Sequence, residues 1–237
     1  MSASNKKPHL VVFSGAGMSA ESGLKTFRDN NGLWENHDVA KVATPKAWEE
    51  DKELVLRFYN QRKKQLFKAQ PNNAHHLVYK LEKDYKVTVI TQNVDDLHER
   101  AGSSNVVHLH GELKKARSER HPELIYDLGK EDIKLGDVCE KGHQLRPNIV
   151  WFGEEVPMID KATQLVSTAD ILIVIGSSLN VYPAAGIIHF TPKNAKCFLI
   201  DPKIPDYDFP PHWNLLKTTA GEGLEAISNQ LSQDRNS

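Results

Sequence analysis

The sequence predicts an α/β fold: a Rossmann-like doubly wound parallel sheet with a small inserted subdomain. Short β-branched apolar runs alternate with segments of helical periodicity, a pattern typical of a parallel sheet with helices on both faces. The runs are mainly apolar, as expected for strands that are buried on both faces. With 237 residues and 39% hydrophobic content, the chain is long enough to bury one substantial core.

Each predicted element has a local signature. Apolar runs predict strands at residues 10–13, 87–90, 106–109, 171–175 and 197–200. Apolar residues at helical spacing predict helices at residues 54–68, 74–83, 94–101 and 223–231. Gly102 follows the third of these helices and supplies its stop signal.

Two regions interrupt the alternation and are interpreted as insertions. Residues 35–70 are rich in helix signals and contain no predicted strand, and residues 114–144 are polar and weakly periodic. We therefore expect a single domain of residues 1–237 in which both insertions form the small subdomain. The core would then consist of residues 1–34, 71–113 and 145–237.

The composition excludes several classes of protein. Thirty basic and 31 acidic residues give a formal net charge of −1, so no overall field attracts nucleic acid or anionic lipid. Cys139 and Cys197 are the only cysteines, which argues against a disulfide framework and indicates a reducing compartment. No run is apolar enough to span a bilayer, and residues 1–13 lack a signal-peptide core. We expect a cytoplasmic protein without nucleic-acid or membrane partners.

The first motif is a glycine turn, SGAGMSAESGLKTFRD, directly after the first predicted strand. Gly15 and Gly17 allow a close backbone approach, and a helix that begins near Ala16 would direct N–H groups at a bound anion. Ser14 and Ser19 add hydroxyl donors. A tight strand-to-helix turn without any ligand explains the two glycines about as well.

The second motif, TQNVDDLHERAG, follows the second predicted strand. Gln92 and Asn93 can both donate and accept hydrogen bonds, which suits ribose hydroxyls and a carboxamide, whereas Asp95 accepts only when ionised. Capping of the next helix is the alternative role for these side chains. Ligands gather at the carboxyl ends of parallel strands, so the loops starting at Ser14, Thr91, His110 and Gly176 should face one crevice.

The third motif, HLHGEL, places a histidine at the end of a strand. We predict that His110 is a general base, because the unperturbed pKa of imidazole, ~6.5, lies near physiological pH. His108 shares the strand face of His110, so a pair of metal ligands is the competing interpretation. That interpretation lacks a third ligand nearby in the sequence.

Five motifs, in one order, resemble the sirtuins, a family of NAD-dependent protein deacylases. They are the three above together with RPNIVWFGE and GSSLNVYPA, and the likeness extends over residues 11–231. The resemblance implies that NAD is the cofactor. It implies that NAD is bound by Gly15, Ala16, Gly17, Ser19, Phe27, Arg28, Gln92, Asn93, Asp95, Gly176, Ser177, Ser178, Asp201 and Ala220. Asp201 stands where sirtuins usually carry asparagine, and its carboxylate would repel a 2′-phosphate, which favours NAD over NADP.

The resemblance implies an NAD-dependent protein-lysine deacylase that releases nicotinamide and O-acyl-ADP-ribose. His110 and Asn93 would be catalytic: His110 would deprotonate a ribose hydroxyl, and Asn93 would hold the nicotinamide and its ribose. An acylated-lysine peptide would lie extended between two loops, in contact with Phe152, Gly153 and Val181. An NAD glycohydrolase or a protein ADP-ribosyltransferase is the alternative, because either could direct the same activated ribose to another acceptor.

A stripe on the predicted helix 54–68 bears on the choice of acyl group. Val55, Tyr59, Arg62 and Leu66 share one face, which Arg62 interrupts. A phenol three residues from a guanidinium can bind a carboxylate through charge-assisted bonds. Spacing alone favours a surface arginine whose stem covers the core. Tyr-x-x-Arg, however, resembles the signature of sirtuins that remove succinyl, malonyl and glutaryl groups, which implies that succinyl and malonyl are preferred over acetyl.

The segment between the His-Gly and Arg-Pro motifs departs from the family pattern. Most sirtuins carry two C-x-x-C pairs there that hold zinc, whereas this chain has Ser118 and His121 near the first pair and Cys139 with Gly142 or His143 near the second. His121, Cys139 and His143 could be metal ligands, but their spacing is irregular and a fourth ligand is missing. We expect no metal. Packing would then hold the insertion, through residues such as Leu124, Ile125, Tyr126 and Ile133.

Overall fold

Strands and helices alternate over most of the chain in the computed structural model, which describes residues 7–25, 33–34 and 37–236. The strands are β1 (His9–Ser14), β2 (Leu33–Trp34), β3 (His37–Asp38), β4 (Lys86–Thr91), β5 (Val106–His108), β6 (Gly111–Ser118), β7 (Ile125–Asp127), β8 (Leu145–Ile149), β9 (Ile171–Ile175), β10 (Lys196–Ile200) and β11 (Trp213–Leu216). The α-helices are α1 (Pro45–Glu50), α2 (Lys52–Leu66), α3 (Asn73–Leu81), α4 (Leu97–Ala101), α5 (Ile159–Val166) and α6 (Ala220–Asn236). Short 3₁₀ helices span Ala16–Ser22, Val39–Lys41 and Ala184–Phe190.

The main sheet has six strands in the order β11-β10-β9-β1-β4-β5. All neighbouring strands in it are parallel. Counted along the chain within this sheet, the order is 6-5-4-1-2-3, which is the doubly wound dinucleotide-binding arrangement. The predicted fold class is therefore confirmed. The winding reverses between β1 and β9, and a ligand crevice is expected at the carboxyl ends of these two strands.

The central strands are buried on both faces. Along β1, Val11 and Phe13 join one hydrophobic cluster, whereas Leu10 and Val12 join another on the opposite side of the sheet. This division follows from the two-residue period of a strand, which sends successive side chains to opposite faces. Because both sides are filled, the strands read as continuous apolar runs, and the positions of all five predicted strands are confirmed.

Other elements differ from the sequence-based expectation. Strand β11 was not predicted, because it is a short edge strand with partly exposed side chains such as Leu215. Helix α4 begins at Leu97 rather than at residue 94, and the Asp95 carboxylate accepts a hydrogen bond from the Leu97 N–H. Helices α1 and α5 were also missed, although Thr44 before Pro45 is a typical helix start. The expectation of no strand in residues 35–70 is wrong at β3, which pairs with β2.

A second, antiparallel sheet of three strands, in the order β7-β6-β8, lies beside the main sheet. A third hydrophobic cluster joins it to α1 and α2, with Trp48 and Tyr59 on the helices and Leu113 and Ala116 on β6. Residues from both predicted insertions thus share one core. The exact division into core and subdomain stays a prediction. Among the described residues, no helix has the length and apolar character needed to cross a membrane.

The positions where most sirtuins carry cysteine pairs are joined here by direct contacts. The Cys139 Sγ lies 3.4 Å from the Ser118 Oγ, and both residues are buried. The Ser118 hydroxyl also accepts a hydrogen bond from the His121 N–H at 3.2 Å. The Lys141 ammonium lies 3.2 Å from the His121 Nδ1. These contacts and the third cluster hold the segment together.

We predict that prolonged EDTA treatment leaves the melting temperature unchanged, because packing and protein hydrogen bonds stabilise this segment. Differential scanning calorimetry before and after treatment measures the effect. As a control, Cys139→Ala should lower the melting temperature slightly and equally with or without EDTA, since it removes only a buried thiol. A large drop with EDTA that added zinc reverses would contradict the prediction.

Candidate active site

Two glycine turns meet backbone to backbone at the carboxyl ends of β1 and β9. The Gly15 N–H donates to the Ile175 carbonyl at 3.0 Å, and the Gly17 N–H donates to the Gly176 carbonyl at 2.9 Å. A Cβ on Gly15 would lie 2.7 Å from the Gly176 oxygen, and one on Gly17 would lie 2.6 Å from the Gly176 Cα. Gly176 has a φ of +61°, in the left-handed region that favours glycine. The glycines therefore have a packing function as well as their predicted role toward an anion.

Ser14 does not have the role that its sequence position suggested. It is fully buried, and its hydroxyl donates to the Thr91 Oγ1 at 2.9 Å and lies 3.1 Å from the His98 Nε2. The hydroxyl joins β1 to β4 inside the core and is not a donor for an anion. Burial lowers the pKa of His98 well below its usual value, so this histidine is neutral and structural.

Ser19, Asn93 and Asp95, three of the predicted cofactor residues, form one buried hydrogen-bonded group. The Asn93 Nδ2 donates to the Gly15 carbonyl at 3.0 Å and to the Ser19 Oγ at 3.1 Å, and the Ser19 hydroxyl donates to the Asp95 Oδ2 at 2.9 Å. Burial raises the pKa of Asp95, and the hydrogen bonds from Leu97 and Ser19 oppose that rise. The Asp95 carboxylate thus accepts a hydrogen bond from the N–H of the first residue of α4, which is the kind of contact that the capping alternative predicts. It also accepts a hydrogen bond from Ser19 in the buried polar group.

Gln92 connects the remaining loops. Its Nε2 donates to the Ser177 Oγ at 2.9 Å, and its backbone carbonyl lies 3.0 Å from the His110 Nδ1. The four loops that were expected to face one crevice are therefore linked: Asn93 contacts the first loop, Ser177 lies in the fourth, and His110 begins the third.

The Gln92 carbonyl fixes the protonation of His110. A carbonyl oxygen only accepts hydrogen bonds, so the Nδ1 must carry the proton and the Nε2 lone pair is left to act as a base. Burial lowers the pKa of His110, an effect that its hydrogen bond to the Gln92 carbonyl partly offsets. The imidazole is therefore neutral at pH 7 and can accept a proton at Nε2.

His108 differs from its neighbour two residues away. Its Nδ1 lies 3.1 Å from the Asn93 carbonyl, and its Nε2 lies 2.7 Å from a Glu99 carboxylate oxygen. Although burial lowers the pKa of His108, the Glu99 carboxylate raises it above its usual value. Across residues 7–25, 33–34 and 37–236, only Glu99, His108 and Glu112 form a trio whose ligand atoms lie within 4.8 Å of one another. His110 is not in that group, so the suggested His108–His110 metal pair is not formed.

The predicted adenosine end lies at β10 and α6. Asp201 follows β10 and is buried, and its carboxylate accepts a hydrogen bond from the Lys203 N–H at 2.9 Å. Ala220 is the buried first residue of α6, and Ser178 follows Ser177 in the fourth loop. Phe27 and Arg28 lie outside the described residues.

The predicted peptide-binding loops expose large aromatic side chains. Phe152 is 46% exposed, and Tyr182, which follows Val181, is 66% exposed. The Phe152 N–H donates to the Ala43 carbonyl at 3.0 Å. Gly153 follows with a φ of +91°, a conformation that other residues rarely adopt. The loop begins beside the predicted base, because the Val150 N–H donates to the His110 carbonyl at 3.0 Å.

Helix α2 presents the predicted acyl-selective pair. Tyr59 is 2% exposed, and its hydroxyl accepts a hydrogen bond from the Trp151 Nε1 at 3.0 Å. Burial raises the pKa of the Tyr59 phenol well above its usual value, while the nearby positive charges of Arg62 and Arg146 oppose the rise. The Arg62 guanidinium lies over the Phe58 ring, 5.8 Å from its centroid. Sequence reasoning missed the contact of Trp151 with Tyr59, because it joins residues 92 positions apart.

The doubly wound sheet, with glycine turns at the point where its winding reverses, is the arrangement typical of dinucleotide-binding proteins. A family profile described as "Sir2 family" matches residues 15–183. The chain belongs to the Sir2 family, since that match covers more than half of its length.

Individual relatives agree with this assignment. The chain is 53% identical over 228 residues to an NAD-dependent protein deacylase of Bacteroides thetaiotaomicron, a match that covers 94% of this chain and 97% of the relative. It is 51% identical over 223 residues to an NAD-dependent protein deacylase of Helicobacter pylori, with the same two shares. It also resembles a crystal structure of a Sir2 homolog–NAD complex, with a TM-score of 0.85 and 37% identity over 96% of this chain and 91% of that one. A structure of Sir2 bound to acetylated peptide gives a TM-score of 0.79 and 28% identity, and covers 96% and 95% of the two chains.

We predict that Gly17→Ala destabilises the fold, because its Cβ would press on the backbone of Gly176 at 2.6 Å. Overpacking of this kind costs about 1–3 kcal/mol in free energy of unfolding, which urea titration measures. Gly186→Ala is the control, since its Cβ would meet Tyr182 only at 3.7 Å, an ordinary contact. Equal stability of the two variants would show that the turns can move apart.

Proposed function

We propose that this protein removes acidic acyl groups, succinyl and malonyl in preference to acetyl, from lysine side chains of proteins or peptides. Membership of the Sir2 family supports the activity itself: the chain is an NAD-dependent protein deacylase, its cofactor is NAD, and its substrates are acylated lysines. The preference for acidic acyl groups is supported by one observation above all, the buried Tyr59 phenol close to the Arg62 guanidinium on α2.

NAD fits the crevice on the chemistry of this chain. A Cβ at Gly15 or Gly17 would clash with the backbone of the fourth loop, so both loops carry bare backbone here, which a phosphate group could approach closely. We propose that Ala16, Ser19, Gly176, Ser177 and Ser178 complete the phosphate side, Gln92, Asn93 and Asp95 the nicotinamide side, and Asp201 and Ala220 the adenosine side. When bound, NAD supplies a ribose carbon that becomes electrophilic as nicotinamide leaves.

His110 acts in this proposal as the general base. The Gln92 carbonyl holds its proton on Nδ1, and the Nε2 then accepts a proton from a hydroxyl group in the crevice. No further group has to be deprotonated first, because the lowered pKa keeps the ring neutral at physiological pH. Asn93 has the positioning role, since its amide group joins the first loop to the second.

Tyr59 and Arg62 explain the preference for acidic acyl groups. A guanidinium and a phenol can together bind one carboxylate through charge-assisted hydrogen bonds, which are stronger away from bulk water. An acetyl group ends in a methyl and offers neither group a partner. A site built to bind a polar group discriminates strongly against analogues that lack it.

The peptide part of the substrate would bind through its backbone. Phe152, Gly153 and Val181 belong to loops that leave large side chains exposed to solvent. An extended peptide that adds itself as a strand uses main-chain hydrogen bonds, so many sequences would be accepted. The selectivity then lies in the acyl group.

We predict an acidic limb in the pH profile of kcat/KM that lies below pH 6.5. Activity needs neutral His110, whose pKa is lowered, so activity is full above that pKa and falls as the pH drops through it. Steady-state deacylation rates between pH 5 and 8 measure the limb. His110→Ala should abolish deacylation and leave NAD binding in place, whereas His108→Gln should keep the limb at the same pH. A limb centred above pH 6.5 would exclude His110 as the titrating base.

We predict that Arg62→Met lowers desuccinylation more than deacetylation. Loss of a charge-assisted bond costs about 1.5–3 kcal/mol, or about 10- to 100-fold in the ratio of the two kcat/KM values. Mass spectrometry of matched succinyl-lysine and acetyl-lysine peptides, with nicotinamide and O-acyl-ADP-ribose followed together, gives both values.

Arg57→Met is the matched control, because Arg57 is an exposed arginine on the same helix. Equal losses on both peptides in Arg62→Met would mean that the arginine is structural. Release of nicotinamide without any deacylation by the wild-type protein would favour the glycohydrolase or transferase alternative.

A further inference from the structure

The indole of Trp151 determines the orientation of the Tyr59 hydroxyl. The Trp151 Nε1 lies 3.0 Å from the Tyr59 oxygen, and both side chains are 2% exposed. An indole N–H is only a donor, so the tyrosine oxygen must accept this hydrogen bond. The O–H proton of the phenol is therefore directed away from Trp151, toward another acceptor.

Trp151 is itself held from two sides. The Arg146 guanidinium lies over its ring, with Cζ 3.2 Å from the ring centroid. The Trp151 backbone N–H donates to a Glu154 carboxylate oxygen at 2.8 Å. A stacked cation and a hydrogen bond to the main chain leave the indole little freedom to turn.

Glu154 is the centre of this arrangement. Its carboxylate accepts two hydrogen bonds from Arg146, at 2.6 and 3.1 Å. It also forms an ion pair with Arg117 at 3.1 Å. Burial raises the pKa of Glu154, but the two arginines outweigh that effect and keep it below its usual value. The carboxylate therefore stays ionised, and contacts run without a break from Arg117 on β6 and Arg146 on β8 through Trp151 to Tyr59 on α2.

A second tryptophan shows that this contact is specific. Trp48 is also buried and packs against Trp151, with ring centroids 5.8 Å apart. Its indole N–H, however, donates to the Glu119 carboxylate at 3.0 Å and not to Tyr59. Of these two neighbouring indoles, only that of Trp151 donates a hydrogen bond to the Tyr59 phenol.

We propose that Trp151 is a positioning residue for acyl selectivity: its indole N–H orients the Tyr59 hydroxyl so that the phenol donates to the carboxylate of a bound acidic acyl group. This inference rests on the proposed function. A phenol that accepts from Trp151 and donates to the substrate has one preferred orientation, whereas a phenol without Trp151 has several. Trp151 acts through Tyr59 and does not itself need to contact the carboxylate.

The test is the ratio of kcat/KM for succinyl-lysine over acetyl-lysine peptide in Trp151→Phe. Loss of one neutral hydrogen bond that orients the phenol should lower this ratio about two- to tenfold. The change should appear mainly as a higher KM for the succinyl peptide. Trp48→Phe removes the matched indole N–H and should keep the wild-type ratio. An unchanged ratio in Trp151→Phe, or an equal fall in Trp48→Phe, would overturn the proposal.

A second variant separates the N–H from the shape of the ring. Benzothienylalanine at position 151 keeps the bicyclic bulk and the stacking surface for Arg146, and it lacks only the N–H donor. It should lower the ratio as Trp151→Phe does, with a wild-type melting temperature. A wild-type ratio in this variant would contradict the role of the hydrogen bond even if Trp151→Phe folds poorly.

A double-mutant comparison tests whether Trp151 acts through Tyr59. In a Tyr59→Phe background, adding Trp151→Phe should not lower the ratio further, because the hydroxyl to be oriented is gone. Independent, additive losses would overturn the proposal. If Tyr59→Phe and Arg62→Met themselves leave the ratio unchanged, the proposed acyl preference fails and this inference fails with it. If those two lower the ratio and the variants at Trp151 do not, only this inference fails.

Discussion

The backbone contact between the first and fourth loops is the constraint on which the site depends. The Gly17 N–H donates to the Gly176 carbonyl at 2.9 Å, and the two loops leave no room for a Cβ between them. The second loop is attached to this contact from both sides, through Asn93 to the first loop and through Gln92 to the fourth. The carbonyl of Gln92 then orients His110. His110, the proposed general base, is thus placed by a series of short contacts that starts at the point where the sheet reverses its winding.

Three histidines near this point differ in protonation because they differ in burial and in hydrogen-bond partners. His98 is buried beside the Ser14 hydroxyl and is kept neutral by burial. His108 lies between a carbonyl and the Glu99 carboxylate, which raise its pKa. The His110 Nδ1 donates to the Gln92 carbonyl, and burial lowers the pKa of His110. Of the three, His110 has the fixed tautomer and the neutral ring that base catalysis requires.

The sequence predicts those features of the fold that local pattern determines. Mainly apolar runs correctly located β1, β4, β5, β9 and β10, because strands buried on both faces carry apolar side chains at most positions. Strand β11 escaped because an edge strand with exposed side chains carries no such pattern. The start of α4 was misplaced because the Asp95 side chain bonds to the first helical residue, a detail that periodicity does not encode.

The site follows the same rule. Motif order located the loops, and the sheet topology brings them together. The Trp151–Tyr59 bond and the Arg117–Glu154 ion pair could not be predicted, because they join residues 92 and 37 positions apart in the sequence. Sequence reasoning also assigned the Ser14 hydroxyl to a ligand, whereas the fold uses it inside the core.

The hydrophobic core shared by α2 and the small antiparallel sheet determines how the proposed selectivity between acyl groups would be lost. Tyr59 packs in the same cluster as Ala116 on β6 and Leu145 on β8, separately from the two clusters that flank the main sheet. Local opening of a protein proceeds through such cooperative units. Damage or heating that loosens the small sheet would therefore weaken the proposed preference for acidic acyl groups while the dinucleotide crevice remains folded, so the enzyme would lose that selectivity before it lost activity.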